Sequence, residues 1–128
     1  MITLGTPFGG SHTSTNAWKL YELTAGHKIT DAIEQFDLAG APPVPTTSVY
    51  SRSDGVVAWQ ASLQAKSRKQ PHTENVEVFA SHIGLGLNPS AWWVVADRLA
   101  QAPGAWKAFE RTGRLQQWVF PDAKQKER

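Results

Sequence analysis

Three short apolar or β-branched runs, each breaking into a polar loop and each followed by helix-forming sequence, constrain this chain most. Met1-Ile2-Thr3-Leu4 runs into Gly5-Thr6-Pro7-Phe8-Gly9-Gly10, and Thr46–Tyr50 into Ser51-Arg52-Ser53-Asp54-Gly55. Val76–Ala80 runs into Ser81-His82-Ile83-Gly84-Leu85-Gly86. Runs this short, bounded by breakers, suit strands rather than helices.

Helical spacing fills the intervals. Between Asn16 and Phe36, Trp18, Leu20, Tyr21, Ile33 and Phe36 recur at intervals close to the helical period, with Gly26 dividing two short helices and Thr30 placed to cap the second. Gly40–Pro45 is a linker rich in breakers. Val56–Ala65 is a short apolar or helical stretch around Trp59, and Ser67–Glu74 a polar connection. The clearest helix follows Asn88, an N-cap residue, with Pro89 at its first position and Trp92, Val95, Ala96 and Leu99 on one apolar stripe. Pro103-Gly104 stops it. A last short helix is expected to carry Trp106 and Phe109 before Gly113, with Leu115, Trp118, Val119 and Phe120 in a C-terminal extension over about residues 107–128. Strand and helix in alternation predict an α/β fold in which about three parallel strands are flanked by helices. A strand opening at residue 1, in so small a sheet, carries the expectation that further sequence normally precedes it.

Composition narrows the function classes. The content is 41% hydrophobic and 19% charged, and six Trp need apolar surroundings, which fits a globular chain. Thirteen basic against 11 acidic residues leave a net charge of +2. That balance, with Lys66, Arg68, Lys69 and the tail Lys124–Arg128 as the only basic runs, gives no phosphate-binding stripe, so nucleic acid is not an expected partner. With no Cys there is neither a disulfide framework nor thiolate chemistry. No apolar run approaches the ~20 residues of a membrane span. No signal peptide is visible, and a cytoplasmic location is the default expectation.

Reactive groups of open parallel sheets collect beyond the carboxyl ends of the strands. Asp54 follows the second run and His82 the third, so adjacent strands would deliver a carboxylate and an imidazole to one crevice. A carboxylate fixes the imidazole's tautomer and stabilises the imidazolium formed on proton transfer. An imidazole with the ordinary pKa of ~6.5 both takes and returns a proton near neutrality. Singly, Asp54 also reads as a turn residue bonding nearby backbone, and His82 as a hydrogen-bonded loop histidine. Ser11-His12 are chain neighbours badly placed for nucleophile and base. His27 and His72 sit in polar connections facing solvent. His12, Asp54 and His82 match no compact metal-ligand spacing, and Gly84-Leu85-Gly86 lacks the rest of a phosphate-loop fingerprint, so no cofactor is implied.

Ile2-Thr3-Leu4-Gly5-Thr6-Pro7-Phe8-Gly9-Gly10, Tyr50-Ser51-Arg52-Ser53-Asp54-Gly55-Val56-Val57 and Ser81-His82-Ile83-Gly84-Leu85-Gly86-Leu87-Asn88-Pro89 resemble later segments of bacterial α/β-hydrolases of the lipase and esterase kind. The resemblance covers roughly residues 1–106. It implies the C-terminal part of an α/β-hydrolase fold, residues 1–128 forming one partial domain. Asp54 would be the triad acid and His82 the triad base, in the order Ser, acid, His. Residues of about 15–40 would then be a helical lid-like insertion over an acyl pocket, although ordinary core packing explains Trp18, Tyr21, Ile33 and Phe36 equally well.

One departure from the family governs the expected activity. The nucleophile of such enzymes lies in Gly-x-Ser-x-Gly, and no serine here does; Ser11 comes nearest, with Gly9 before it but Thr13 after it. The oxyanion donors would lie outside this chain too. Alone, the chain is expected not to hydrolyse esters. Its expected partners are an N-terminal hydrolase half supplying the serine, or a second copy joined through the edge strand Ile2–Leu4, with an acyl ester as substrate once the site is complete. The alternative is a non-catalytic interaction module, or a complementing subunit, derived from a hydrolase half.

Overall fold

The computed structural model describes residues 1–8, 43–65 and 70–122. The lid-like insertion expected at about 15–40, the Lys66, Arg68 and Lys69 run and the tail Lys124–Arg128 lie outside the described residues, as do Ser11, His12 and His27.

Strands β1 (Ile2–Leu4), β2 (Thr46–Tyr50) and β3 (Thr73–Glu77) form a parallel sheet in the order β1-β2-β3. A 3-10 turn, Trp59–Ser62, lies between β2 and β3, and the helices α1 (His82–Leu85), α2 (Pro89–Leu99) and α3 (Arg114–Val119) follow. Among the described residues this is a small α/β fold.

Register sorts the side chains between two faces. Leu4, Val49 and Val76 share a row, as do Ile2, Thr47 and Glu74, and alternation along each strand puts both rows on one face. There Val49, Val76 and Val78 pack with Leu85 of α1, Ala91 and Val94 of α2, and Phe120, with Phe109 against them. Phe109 and Trp93 meet the Phe120 ring edge-on. The opposite face carries Thr3, Thr46, Ser48, Tyr50, Thr73, Asn75 and Glu77. It is buried under the connection to β3, where the Ser48 hydroxyl donates to Ser62 O at 2.7 Å, Tyr50 stacks on Trp59, and Asn75 exchanges hydrogen bonds with the Gln64 backbone.

The third strand begins three residues earlier than its apolar run, at Thr73 instead of Val76, and the polar connection expected to reach Glu74 yields to it. The reason is pairing of the buried polar groups. Glu74 accepts from the Thr47 hydroxyl at 2.7 Å, from Arg98 Nη1 at 2.8 Å and from Phe109 N at 2.6 Å. Charged and hydroxyl groups so satisfied tolerate the interior.

Helix α2 starts where the sequence predicts. Asn88 Oδ1 accepts from Ser90 N and Ala91 N, and Pro89 opens the helix. Its phase differs. Ala91 and Val94 face the sheet, whereas Trp92 and Leu99 of the expected stripe are 60% and 73% exposed. The last helix is also displaced: residues 105–112 are non-helical, and α3 carries Leu115, Trp118 and Val119 instead of Trp106 and Phe109. Trp106 instead stacks on His72, whose ring lies in an exposed residue.

Candidate active site

The carboxyl ends of all three strands converge on one place. Beyond β2 the chain turns through Ser51–Gly55. Asp54 Oδ1 accepts from Val56 N and Val57 N, each at 2.8 Å. Those bonds tie one carboxylate oxygen to its own loop and leave Oδ2 for a group from elsewhere. Beyond β3, Ser81 caps α1, its hydroxyl accepting from Gly84 N at 3.1 Å, and His82 is the first residue of that helix.

Asp54 Oδ2 and His82 Nδ1 lie 2.8 Å apart. The Asp54 side chain is 2% exposed and that of His82 34%. A carboxylate only accepts, so this hydrogen bond assigns the proton to Nδ1 and leaves Nε2 as the basic atom. The arrangement is an oriented imidazole, backed by an enclosed carboxylate and open to solvent. Asp54 thus does both things its position allows: it closes a turn and holds a histidine from the next strand.

The third strand end forms the floor. Gly5 follows β1 with φ of +58°, a conformation that disfavours any side chain. A Cβ there would lie 2.8 Å from Leu85 Cδ1, 3.1 Å from Asp54 Oδ2 and 3.3 Å from His82 Nδ1. The pair rests directly on this glycine, over the end of the edge strand. In the sequence Gly5 stands only as a breaker after β1; the signal for its role is a glycine directly after a strand, in a chain with reactive residues at the other strand ends.

A second set of polar contacts stitches the two loops together. Ser51 Oγ accepts from Ala80 N at 3.1 Å and from Ser53 N at 3.2 Å, and Ser53 Oγ donates to Ala80 O at 3.0 Å. Asn88 Nδ2 donates to Phe79 O at 2.7 Å, fixing the start of α2 against the loop that follows β3. Neither Ser51 nor Ser53 stands out in the sequence, because their contacts cross 29 and 27 positions of chain.

Among the described residues, no hydroxyl bonds to His82, and no group of three His, Asp or Glu could hold a metal ion. Beyond β3, a separate hollow is lined by Arg52, Ser53, Glu77, Phe79, Pro121 and Asp122; the buried Glu77 carboxylate there accepts from Tyr50 OH at 3.1 Å and pairs with Arg52 at 3.0 Å. Compared with family models, curated proteins and solved structures, the chain gives no match. Chemically, the arrangement at Gly5 can take a proton from a hydroxyl or water placed against Nε2 and return it, the charge on the ring being balanced by Asp54.

Proposed function

We propose that this chain is the acid–base portion of a serine carboxylic-ester hydrolase of the α/β-hydrolase kind. The observation that carries the reading is the 2.8 Å bond between the enclosed Asp54 carboxylate and the open His82 imidazole, at the shared carboxyl mouth of a parallel sheet. In this mechanism Asp54 holds Nδ1 protonated, and His82 Nε2 takes the proton of a serine supplied from outside this chain. The serine oxygen adds to the ester carbonyl, and His82 then returns the proton to the departing alcohol, leaving an acyl-enzyme. A water deprotonated by the same Nε2 releases the acid. No cofactor enters these steps.

Without Gly-x-Ser-x-Gly the chain is expected to leave a short-chain p-nitrophenyl ester at the background rate. Combined with a polypeptide that supplies that motif, it is expected to hydrolyse the ester. Asp54→Asn would then lower kcat about 10⁴-fold and His82→Ala about 10⁶-fold, as loss of the corresponding triad member does elsewhere. Activity in the combined sample that survives both substitutions would overturn the proposal. The other reading, a non-catalytic interaction module, is favoured by the missing motif, and under it both substitutions leave partner binding intact.

A further inference from the structure

Two loops carry the carboxylate–imidazole pair, and the β2–β3 ladder stops short of both. Its register ends at Tyr50 and Glu77, and Val78 N still donates to Tyr50 O at 2.9 Å. In a parallel ladder the amide two residues further on faces the same neighbour. That amide, Ala80 N, donates not to backbone but to Ser51 Oγ, at 3.1 Å. A side chain thus prolongs the ladder where the β2 backbone turns away.

The protons of this contact can be assigned. Ala80 O only accepts, so the Ser53 hydroxyl proton goes to it, at 3.0 Å. Ser51 Oγ and Ser53 Oγ lie 2.9 Å apart, and with the Ser53 proton so committed Ser51 donates that bond. Ser51 Oγ accepts from Ala80 N and, at 3.2 Å, from Ser53 N. One donation and two acceptances use the whole capacity of the hydroxyl. The bonds run one way around a ring, from Ala80 N–H through Ser51 and Ser53 to Ala80 C=O, so each polarises the next. Ser51 O also accepts from Asp54 N at 3.3 Å. Ser51, 1% exposed, therefore holds the amide of Asp54 with its carbonyl and the chain two residues before His82 with its hydroxyl.

We infer that Ser51 is a positioning residue for the pair: its hydroxyl sets the separation of the two loops, and through it the 2.8 Å bond between His82 Nδ1 and Asp54 Oδ2. Hydrogen bonds weaken steeply with misalignment, so a small shift between the loops is enough to release the ring. Ser51→Ala leaves Ala80 N and Ser53 N without their acceptor and frees one loop to move against the other. The role rests on the proton-transfer reading of Asp54 and His82, whichever hydroxyl they serve.

The test reads the His82 tautomer by long-range ¹H–¹⁵N correlation on the ¹⁵N-labelled full chain. Ser48→Ala is the control, deleting an equally buried hydroxyl of β2 whose bond to Ser62 O joins neither loop. Both variants are expected to lower the urea midpoint, as any structural hydroxyl would. Only Ser51→Ala is expected to turn a ring protonated at Nδ1 into a mixture of tautomers. Ser53→Ala, at an exposed residue, breaks the ring of bonds but spares the one from Ala80 N, and a smaller share of the second tautomer is expected. An unaltered tautomer in Ser51→Ala, or an equal change in Ser48→Ala, would overturn the proposal. If Ser51→Ala does not fold, an unaltered tautomer in Ser53→Ala overturns it. A wild-type ring protonated at Nε2 would instead remove the proton-transfer reading, and this role with it.

Discussion

At position 5 the carboxylate–imidazole pair admits nothing larger than hydrogen. Gly5→Ala combines a left-handed backbone with contact against Leu85, Asp54 and His82, and is expected to cost about 1–3 kcal/mol in urea unfolding. The variant should also separate Asp54 from His82, which a change in the His82 ring resonances reports; equal stability with an intact pair would contradict the role given to Gly5. Asp54 and His82 were legible in the sequence because each stands directly beyond a strand-like run, where open parallel sheets gather reactive groups. Ser51 was not. Its buried hydroxyl matters through Ala80 N, and nothing local to Ser51 announces a partner so distant in sequence.

Among the elements, α2 is the best tied down. Asn88 Oδ1 accepts two amides of its first turn while Nδ2 grips Phe79 O. Asn88→Ala is therefore expected to lower stability by about 1–2 kcal/mol, read from the urea midpoint at unchanged m-value; no change would mean that the cap is replaceable. The cap and the proline were legible because N-terminal signals are local. The helix phase was not, since Ala91 and Val94 form a second apolar row beside Trp92, Val95 and Leu99, and periodicity alone does not choose between adjacent rows. The smaller side chains took the sheet. β3 escaped in a similar way: Thr73 and Glu74 read as the end of a polar connection until Thr47, Arg98 and Phe109 supply the Glu74 carboxylate with partners, and Asn75 pairs with the Gln64 backbone. The α3 position failed because Trp106 and Phe109 pack from an extended segment, held by Lys107 O accepting from Arg98 and Gln101.

For the whole molecule, the parallel sheet and the meeting of its strand ends followed from the alternation of short strands and helices, and the described residues form that sheet. Among them no helix is long and apolar enough to cross a membrane. The proposed catalysis, by contrast, needs a Gly-x-Ser-x-Gly serine that this sequence does not contain, so the ester assay tests the completed site, whereas the pairing of His82 with Asp54 belongs to this chain. The most direct measurement is long-range ¹H–¹⁵N correlation on the ¹⁵N-labelled chain, at a mildly alkaline pH where free imidazole is neutral, with His82 assigned by its loss in His82→Ala. A neutral ring protonated at Nδ1, shifting to a mixture of tautomers in Asp54→Asn, is the expected result. A ring protonated at Nε2, or one indifferent to Asp54→Asn, would contradict it.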